Sequence, residues 1–248
     1  MRALLLSLLL ATLATAAAAA ISRDMLWVVT SSCVTAKRVV GRPFPCLDVR
    51  LGSDGEPGFV VLRAPPARTE VVVVPTDRIA GLEVEALRAA PGAAYWQAAL
   101  AARHYVTDAL KGGLALADVA MAVNSQGGRT QDQLHIHLDC VQPAVREALR
   151  MHAASFGPAW APLPFSLAGK RYFGLRIGAE AASRFNPFES LARLPGPAGL
   201  RRTSLAVVST PPGSADPGFF VLAHRAPYSE AETLLDHDCA IAADGAGR

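Results

Sequence analysis

The sequence predicts an α+β fold built on an antiparallel sheet. Two short β-branched runs, at residues 58–62 and 70–74, are separated by the proline-containing segment 64–67 and are typical of an antiparallel strand pair. The alanine-rich stretch 95–110 has the spacing of a helix and is followed by a pair of glycines that would end it. Strands that pair with their neighbours, with helices beside them, indicate the α+β class.

The remaining elements follow from the same signals. Further strands are predicted at residues 119–123, 133–140, 172–177, 204–208 and 219–223, and further helices at residues 144–153, 187–193 and 229–235. The last two strands flank a Pro-Pro-Gly segment, which predicts the loop of a hairpin.

The composition excludes several classes of protein. The 248 residues carry 24 Lys and Arg against 21 Asp and Glu, a net charge of +3. This balance excludes a disordered acidic or basic tail and gives no support for nucleic-acid binding, which needs clustered cations. Aromatic residues make up only 6% of the chain, so a platform for stacking bases is not expected either.

The first 21 residues have the pattern of a targeting segment. Arg2 precedes a leucine-rich stretch at residues 4–13 and a run of alanines at residues 16–20 that offers cleavage sites between small residues. Residues 3–21 are also just long enough to span a bilayer as an uncleaved anchor. A signal peptide and an N-terminal membrane anchor are both open, and both place the rest of the chain outside the cytoplasm.

Four cysteines, Cys33, Cys46, Cys140 and Cys239, fit an exported chain with disulfides. Four thiols permit three pairings, and free buried thiols are the alternative. The short separation of Cys33 and Cys46 favours a local bridge, which leaves Cys140 to pair with Cys239. The sequence has no C-x-x-C motif, so a redox motif of that type is excluded.

Two histidines share one face of the strand predicted at residues 133–140. Because side chains alternate along a strand, Gln133, His135, His137 and Asp139 lie on one side, and the apolar residues between them lie on the other. Three hypotheses follow: a metal site that needs a third ligand, a nucleophile with a supporting neighbour, or two surface histidines.

The polar turn before this strand favours the nucleophile. Residues 124–131 contain two glycines, which let backbone N–H groups approach an anion, together with Arg129 and Thr130, which add a cation and a hydroxyl. A phosphate-binding turn beside paired histidines predicts attack on phosphorus. The polar residues of such a turn also often satisfy backbone groups only.

Residues 122–140 resemble the histidine-triad superfamily of nucleotide hydrolases and transferases, and the whole chain resembles the bacterial CDP-diacylglycerol pyrophosphatase family. The resemblance extends to the hydrophobic N-terminus, the four cysteines and residues 74–79, 95–96, 145–147, 160–164 and 236–239. It implies a histidine-triad-like catalytic region at residues 22–155, with an antiparallel sheet and flanking helices. An α+β extension at residues 156–248 would pack on the same body.

The superfamily pattern alternates three histidines with hydrophobic residues, and its middle histidine attacks phosphorus. By resemblance, His135 is the nucleophile and His137 the third member of the triad, whereas Gln133 replaces the first histidine. Glutamine cannot transfer a proton near neutral pH, so the first position would orient groups instead.

The resemblance also implies the substrate and the reaction. CDP-diacylglycerol would be cleaved to CMP and phosphatidic acid through a nucleotidyl-histidine, without a cofactor or metal. The pyrophosphate would lie against Asn124, Arg129 and Thr130, Gln131 would contact the ribose or a phosphate, and Arg78 would face the substrate. His237 is expected to have a structural role.

The expected location is the periplasmic side of the bacterial inner membrane, or the periplasm if the leader is removed. The expected partners are the lipid nucleotide and the membrane surface, with no nucleic acid and no obligate protein partner. Two alternatives remain open. One is an envelope protein that binds a metal or a lipid through His135 and His137, and the other is a hydrolase of water-soluble nucleoside-diphosphate derivatives.

Overall fold

The structure, a computed structural model, describes residues 23–53, 55–197, 199–211 and 213–245. It confirms the α+β class. The predicted targeting segment, residues 1–21, lies outside the described residues. Among the helices that the structure describes, none is long and apolar enough to cross a membrane.

Within these residues, ten strands form one antiparallel sheet. The strands are β1 Asp48–Arg50, β2 Phe59–Arg63, β3 Val71–Pro75, β4 Val119–Val123, β5 Ile136–Val141, β6 Ala161–Leu167, β7 Lys170–Gly178, β8 Thr203–Ser209, β9 Gly218–Arg225 and β10 Leu235–Asp236. Their order across the sheet is β1-β2-β3-β5-β4-β8-β9-β7-β6, and the short β10 pairs with β5. The two halves of the chain therefore meet where β4 pairs with β8.

The helices lie on both faces of the sheet. The α-helices are α1 Met25–Val40, α2 Ala90–Ala102, α3 His104–Ala109, α4 Pro143–Met151, α5 Ala179–Ala182, α6 Pro187–Ser190 and α7 Ala240–Gly245. Short 3-10 turns cover Glu85–Arg88, Leu116–Asp118, Ala153–Ser155, Leu191–Arg193, Leu200–Arg202 and Glu232–Leu234.

Two predicted helices differ from the structure. The single helix predicted at residues 95–110 begins earlier, with Pro91 in its first turn, and Arg103 divides it into α2 and α3. The helix predicted at residues 229–235 is wrong, because that segment forms one 3-10 turn and then β10. Pairing of this segment with β5 outweighs its helical spacing.

One face of the sheet carries the largest core. Leu134, Ile136 and Leu138 point into it and pack with Tyr95 and Trp96 of α2. This is the apolar face that the alternation around the histidines predicts.

The opposite face carries two separate apolar clusters. In one, Val60, Val72 and Val74 of β2 and β3 pack against α1. In the other, strands of the C-terminal half, with Ala120 and Ala122 of β4, pack against α4. His137 pairs with Val72 on one side and with Ala122 on the other, so the histidines lie between the two clusters.

Both expected disulfides are present. Cys33–Cys46 joins α1 to the segment before β1, and Cys140–Cys239 joins β5 to the residues after β10. The second bridge spans 99 residues of sequence and fixes the C-terminal segment beside the strand that carries the histidines.

Candidate active site

His135, immediately before β5, and His137, the second residue of β5, form an adjacent pair, so the strand begins three residues later than predicted. Their ring centroids are 4.7 Å apart with an interplanar angle of 68°, an edge-to-face arrangement. Each residue is only 8% exposed. The pair is therefore part of a packed site rather than two surface histidines.

The protonation of His135 is determined by the backbone of Gln133. The Nδ1 atom of His135 lies 2.6 Å from the carbonyl oxygen of Gln133, and a carbonyl can only accept. Nδ1 therefore carries the proton, and Nε2 keeps a free lone pair. Burial, together with the charges of His137 and Arg129, lowers the pKa of His135 to about 3. At neutral pH this side chain is an uncharged imidazole, which is the nucleophilic form.

A buried carboxylate orients His137. Its Nδ1 atom lies 2.6 Å from Oε1 of Glu70, the residue before β3. Its Nε2 atom is buried without a hydrogen-bond partner and lies 3.5 Å from Oε2 of Glu232. Because Glu70 holds one nitrogen, the other points towards the space beside Glu232.

Gln133 holds the strand in place. Its buried amide nitrogen donates to the carbonyl oxygens of Pro75 at 3.0 Å and Asp77 at 2.8 Å. The backbone N–H of the next residue, Leu134, donates to Ile79. Gln133 thus fastens the beginning of β5 to the segment that follows β3.

The glycines of the turn at residues 124–131 allow a close approach of protein backbone. A Cβ atom on Gly127 would lie 2.1 Å from the carbonyl oxygen of Pro227, and one on Gly128 would lie 2.6 Å from that of Ser229. Ser125 also exchanges hydrogen bonds with Ser229. The turn therefore packs against the segment that leads to Glu232.

Asn124 contacts Glu232, the carboxylate that lies 3.5 Å from Nε2 of His137. The Asn124 amide nitrogen donates to Oε2 of Glu232 at 2.7 Å, and the Glu232 backbone N–H donates to the Asn124 side-chain oxygen at 3.2 Å. The carboxylate of Glu232 is consequently shared by Asn124 and the space in front of His137.

Arg129 is paired with acidic groups. Its guanidinium donates to both carboxylate oxygens of Glu83, at 2.8 and 3.0 Å, and to Asp132 at 3.1 Å. The side chain is only 4% exposed. Its charge nevertheless reaches His135, because it contributes to the lowered pKa of that imidazole.

The other three predicted binding residues lie towards the start of α1. The side-chain oxygen of Gln131 accepts a hydrogen bond from the Leu26 backbone N–H at 2.8 Å. Arg78 pairs with Asp24 and lies over the ring of Trp27, 5.6 Å from its centroid. Thr130 is exposed. The structure thus brings Asn124, Gln133, His135 and His137 together and places Gln131 and Arg78 against α1.

Four further residues of the site were not assigned a catalytic role from the sequence. His237, after β10, places Nδ1 2.8 Å from Oδ2 of Asp139 and 3.7 Å from Oε2 of Glu70, and its Nε2 lies 3.5 Å from Oε1 of Glu232. The alternation along β5 indicates Asp139, and the pairing of Cys239 with Cys140 would bring His237 nearby. Glu70 and Glu232 have no local signal, because they are distant in sequence from the histidines.

Among the residues that the structure describes, two groups of side chains have donor atoms close enough together for a cation. Single donor atoms of Glu70, Glu232 and His237 lie within 4.8 Å of one another. In the other group, Asp139 is close to Cys140 and Cys239, but a disulfide leaves these sulfurs without thiolate character. The first group alone has the oxygen and imidazole ligands that a divalent cation takes.

A cavity of about 610 Å³ opens beside this cluster, lined by Glu70, Glu232, His237, Asp238 and residues of the loop between β2 and β3. A second cavity, of about 550 Å³, lies between α1 and the loops of β1 and β2, and Asp77 lines it near the anchor of Gln133. The first cavity therefore opens at the carboxylates that contact His137, and the second opens at the segment that anchors Gln133.

The sequence matches the family described as CDP-diacylglycerol pyrophosphatase over residues 21–243. A Yersinia pestis protein of that name is 34% identical over 226 residues, which cover 88% of this chain and 84% of the relative. A Mycobacterium tuberculosis protein of the same name is 34% identical over 225 residues, with the same coverage. A Mycobacterium leprae protein named as a probable CDP-diacylglycerol pyrophosphatase is 30% identical over 230 residues, 90% of this chain and 82% of the relative. The match from the start of α1 to the tail that carries His237 shows that this chain belongs to the CDP-diacylglycerol pyrophosphatase family.

Proposed function

We propose that this chain hydrolyses the pyrophosphate bond of CDP-diacylglycerol to CMP and phosphatidic acid through a nucleotidyl intermediate on Nε2 of His135. Membership of the family supports the substrate and the reaction. The 2.6 Å contact between Nδ1 of His135 and the Gln133 carbonyl oxygen supports the intermediate, because it leaves Nε2 unprotonated.

The reaction has two displacements. In the first, the Nε2 lone pair forms a bond to the cytidine-side phosphorus, and the bond from that phosphorus to the bridging oxygen breaks, releasing phosphatidic acid. In the second, water attacks the same phosphorus, and the phosphorus–nitrogen bond breaks to release CMP and the free imidazole. Donors aimed at the non-bridging oxygens stabilise the charge that develops there.

The groups proposed to bind the substrate differ in how they act. The Asn124 amide is adjacent to the space in front of His137 and would contact a phosphate oxygen in place of Glu232. Arg129 would contribute positive potential while remaining paired with Glu83. Thr130, Gln131 and Arg78 would act from the side of α1, on the ribose or on a more distant phosphate.

We place the reaction outside the cytoplasm, at the periplasmic face of the inner membrane or in the periplasm. Two disulfides fit an oxidising compartment. The segment at residues 1–21 has the composition of a signal peptide or an anchor. An enzyme held at the bilayer surface would meet an amphiphilic substrate there.

Trapping the intermediate tests this proposal. CDP-diacylglycerol labelled at the cytidine-side phosphate is mixed with excess protein and quenched in alkaline detergent, since a phosphorus–nitrogen bond is labile in acid. We expect label on the protein and on the peptide that contains His135. His135→Ala should carry no label and release no CMP, whereas His104→Ala, on the opposite face of the sheet, should match the unaltered protein. CMP release by His135→Ala would overturn the proposed intermediate.

One observation favours a metal-binding alternative, namely the cluster of donor atoms from Glu70, Glu232 and His237. Chelation before the assay separates the two functions. Activity that survives chelation supports histidine catalysis, whereas activity that is lost and then restored by Zn²⁺ supports the metal. A parallel assay with a nucleoside-diphosphate sugar tests the water-soluble substrate class, and faster cleavage of that sugar would overturn the lipid assignment.

A further inference from the structure

The site lacks a proton-transferring group at the first triad position. The Gln133 amide nitrogen donates to two backbone carbonyls, and the amide oxygen is buried without a hydrogen-bond partner. An amide side chain cannot supply a proton near neutral pH. The oxygen that leaves phosphorus nevertheless gains charge, and a positioned acid would accelerate its departure.

His237 and His137 face the same two carboxylates. Glu70 lies on their Nδ1 sides, 2.6 Å from His137 and 3.7 Å from His237. Glu232 lies on their Nε2 sides, 3.5 Å from each. The Nε2 atoms of both imidazoles therefore point towards one anionic group.

The Glu232 carboxylate, which is itself an anion, faces three nitrogen groups. Those groups are the Asn124 amide at 2.7 Å and the Nε2 atoms of His137 and His237. A phosphate oxygen that replaced this carboxylate would meet the same groups. His135 packs edge-to-face on His137, which is one of these three groups.

Carboxylates from three elements surround His237: Asp139 of β5, Glu70 before β3, and Glu232 of the 3-10 turn. Asp238 lines the same cavity, and His137 is the imidazole on the far side of Glu70 and Glu232. Partial burial alone would lower the pKa of His237, but the hydrogen bond to Asp139 and the three negative charges outweigh it and raise that pKa. The hydrogen bond to Asp139 holds Nδ1 of His237, so Nε2 is the nitrogen directed at the position of Glu232.

His237 is also able to regain its proton from solvent. Its side chain is 40% exposed, whereas that of His137 is 10% exposed. The Cys140–Cys239 bridge and the pairing of Asp236 with Cys140 hold the segment in place.

We propose that His237 is a catalytic residue of this site and transfers the protons of both displacements. This inference rests on the proposed function. As the bridging oxygen takes the electron pair of its broken bond to phosphorus, Nε2–H of His237 gives it a proton. In the second displacement, the neutral Nε2 takes a proton from the attacking water, and the phosphorus–nitrogen electron pair returns to His135.

A change of leaving group tests the proposal. His237→Gln is compared with the unaltered protein on CDP-diacylglycerol and on the p-nitrophenyl ester of CMP, in single turnovers that follow the first displacement. A p-nitrophenolate leaving group needs no acid. In His237→Gln we expect the rate of the first displacement of CDP-diacylglycerol to fall by about 100-fold. The rate of the first displacement of the ester should stay within about threefold of that of the unaltered protein. Later turnovers of the ester should be slow. A similar loss on both substrates would overturn the proposal.

Two controls separate the possible failures. His135→Ala should abolish the first displacement with both substrates, and its activity would refute the nucleotidyl-histidine whatever His237→Gln shows. His104→Gln, exposed on α3, should match the unaltered protein. Melting temperature and a non-reducing mass measurement establish that His237→Gln folds with both disulfides.

A second variant keeps the test independent of the folding of His237→Gln. In Asp139→Asn, His237 loses its 2.8 Å carboxylate acceptor, so its protonated form becomes less stable. The first displacement of CDP-diacylglycerol slows at high pH as His237 loses its proton. In Asp139→Asn this decline should begin at a lower pH than in the unaltered protein. An unshifted basic limb would overturn the proposal.

Discussion

The Nδ1 atom of His137 lies 2.6 Å from Oε1 of Glu70, across 67 residues of sequence. Both side chains are buried, and this contact leaves the other nitrogen of His137 directed at Glu232. A buried carboxylate that accepts from one imidazole nitrogen determines both the ring orientation and the tautomer. Glu70 is therefore a positioning residue for His137.

Glu70→Gln should lower kcat while leaving the fold intact. Loss of a hydrogen bond to a charged group costs about 1.5–3 kcal/mol, which corresponds to roughly 10- to 100-fold in rate. Steady-state assays should show the loss in kcat more than in KM. The matched control, exposed Glu85→Gln, should be unchanged, and equal losses in both variants would contradict this role.

Gln133→Leu should destabilise the protein. The substitution leaves the carbonyl oxygens of Pro75 and Asp77 without their amide donor, at a cost of about 1–3 kcal/mol for each buried group. For a chain of this size the two groups together correspond to a decrease in melting temperature of roughly 4–24 °C. Calorimetry on this variant and on Gln126→Leu, whose amide lies near the surface, provides the comparison. An unchanged melting temperature for Gln133→Leu would show that the two hydrogen bonds contribute little.

The buried His135 should make the fold less stable in acid. Burial, His137 and Arg129 lower the pKa of His135 from 6.5 to about 3. Between these two values the unfolded chain binds a proton on this imidazole and the folded protein does not, so the free energy of unfolding falls as the pH falls. Urea unfolding of His135→Gln between pH 6.5 and 4 should show a shallower decline, while His104→Gln should keep the original slope. Parallel declines in His135→Gln and the unaltered protein would refute the burial effect.

Removing the two disulfides should have different effects. In the chain-entropy account, the bridge across 99 residues contributes about 5 kcal/mol and the one across 13 residues about 3 kcal/mol. The double variant Cys140→Ser with Cys239→Ser should also lose the first displacement of CDP-diacylglycerol, because His237 is no longer held beside Asp139. Cys33→Ser with Cys46→Ser should keep most of that rate. Urea titrations and single turnovers measure both effects, and a fully active Cys140/Cys239 variant would contradict the prediction.

The strand that carries His137 could be predicted because its signals are local. Two histidines alternate with leucine and isoleucine, and the structure places the apolar partners in the main core. The disulfides followed from cysteine spacing. The segment at residues 229–235 could not be assigned in this way, since its pairing with β5 depends on residues almost one hundred positions earlier.

The surroundings of the histidines were only partly predictable, for the same reason. The polar turn at residues 124–131 looks like a phosphate site in the sequence, but its glycines pack against Pro227 and Ser229, and Arg129 is paired with Glu83. Phosphate contact by Arg129 and its neighbours remains a prediction. Glu70 and Glu232 come from distant parts of the chain, and only the folded sheet brings them to His137.

The pairing of β4 with β8 has a consequence for shortened forms of the chain. Residues 121–123 exchange main-chain hydrogen bonds with residues 205–207, so a protein that stopped at residue 155 would present an uncovered, apolar strand border to other molecules. It would also lack Glu232 and His237. Self-association is the outcome to expect from such a truncation. The two halves should therefore be expressed and engineered as one piece.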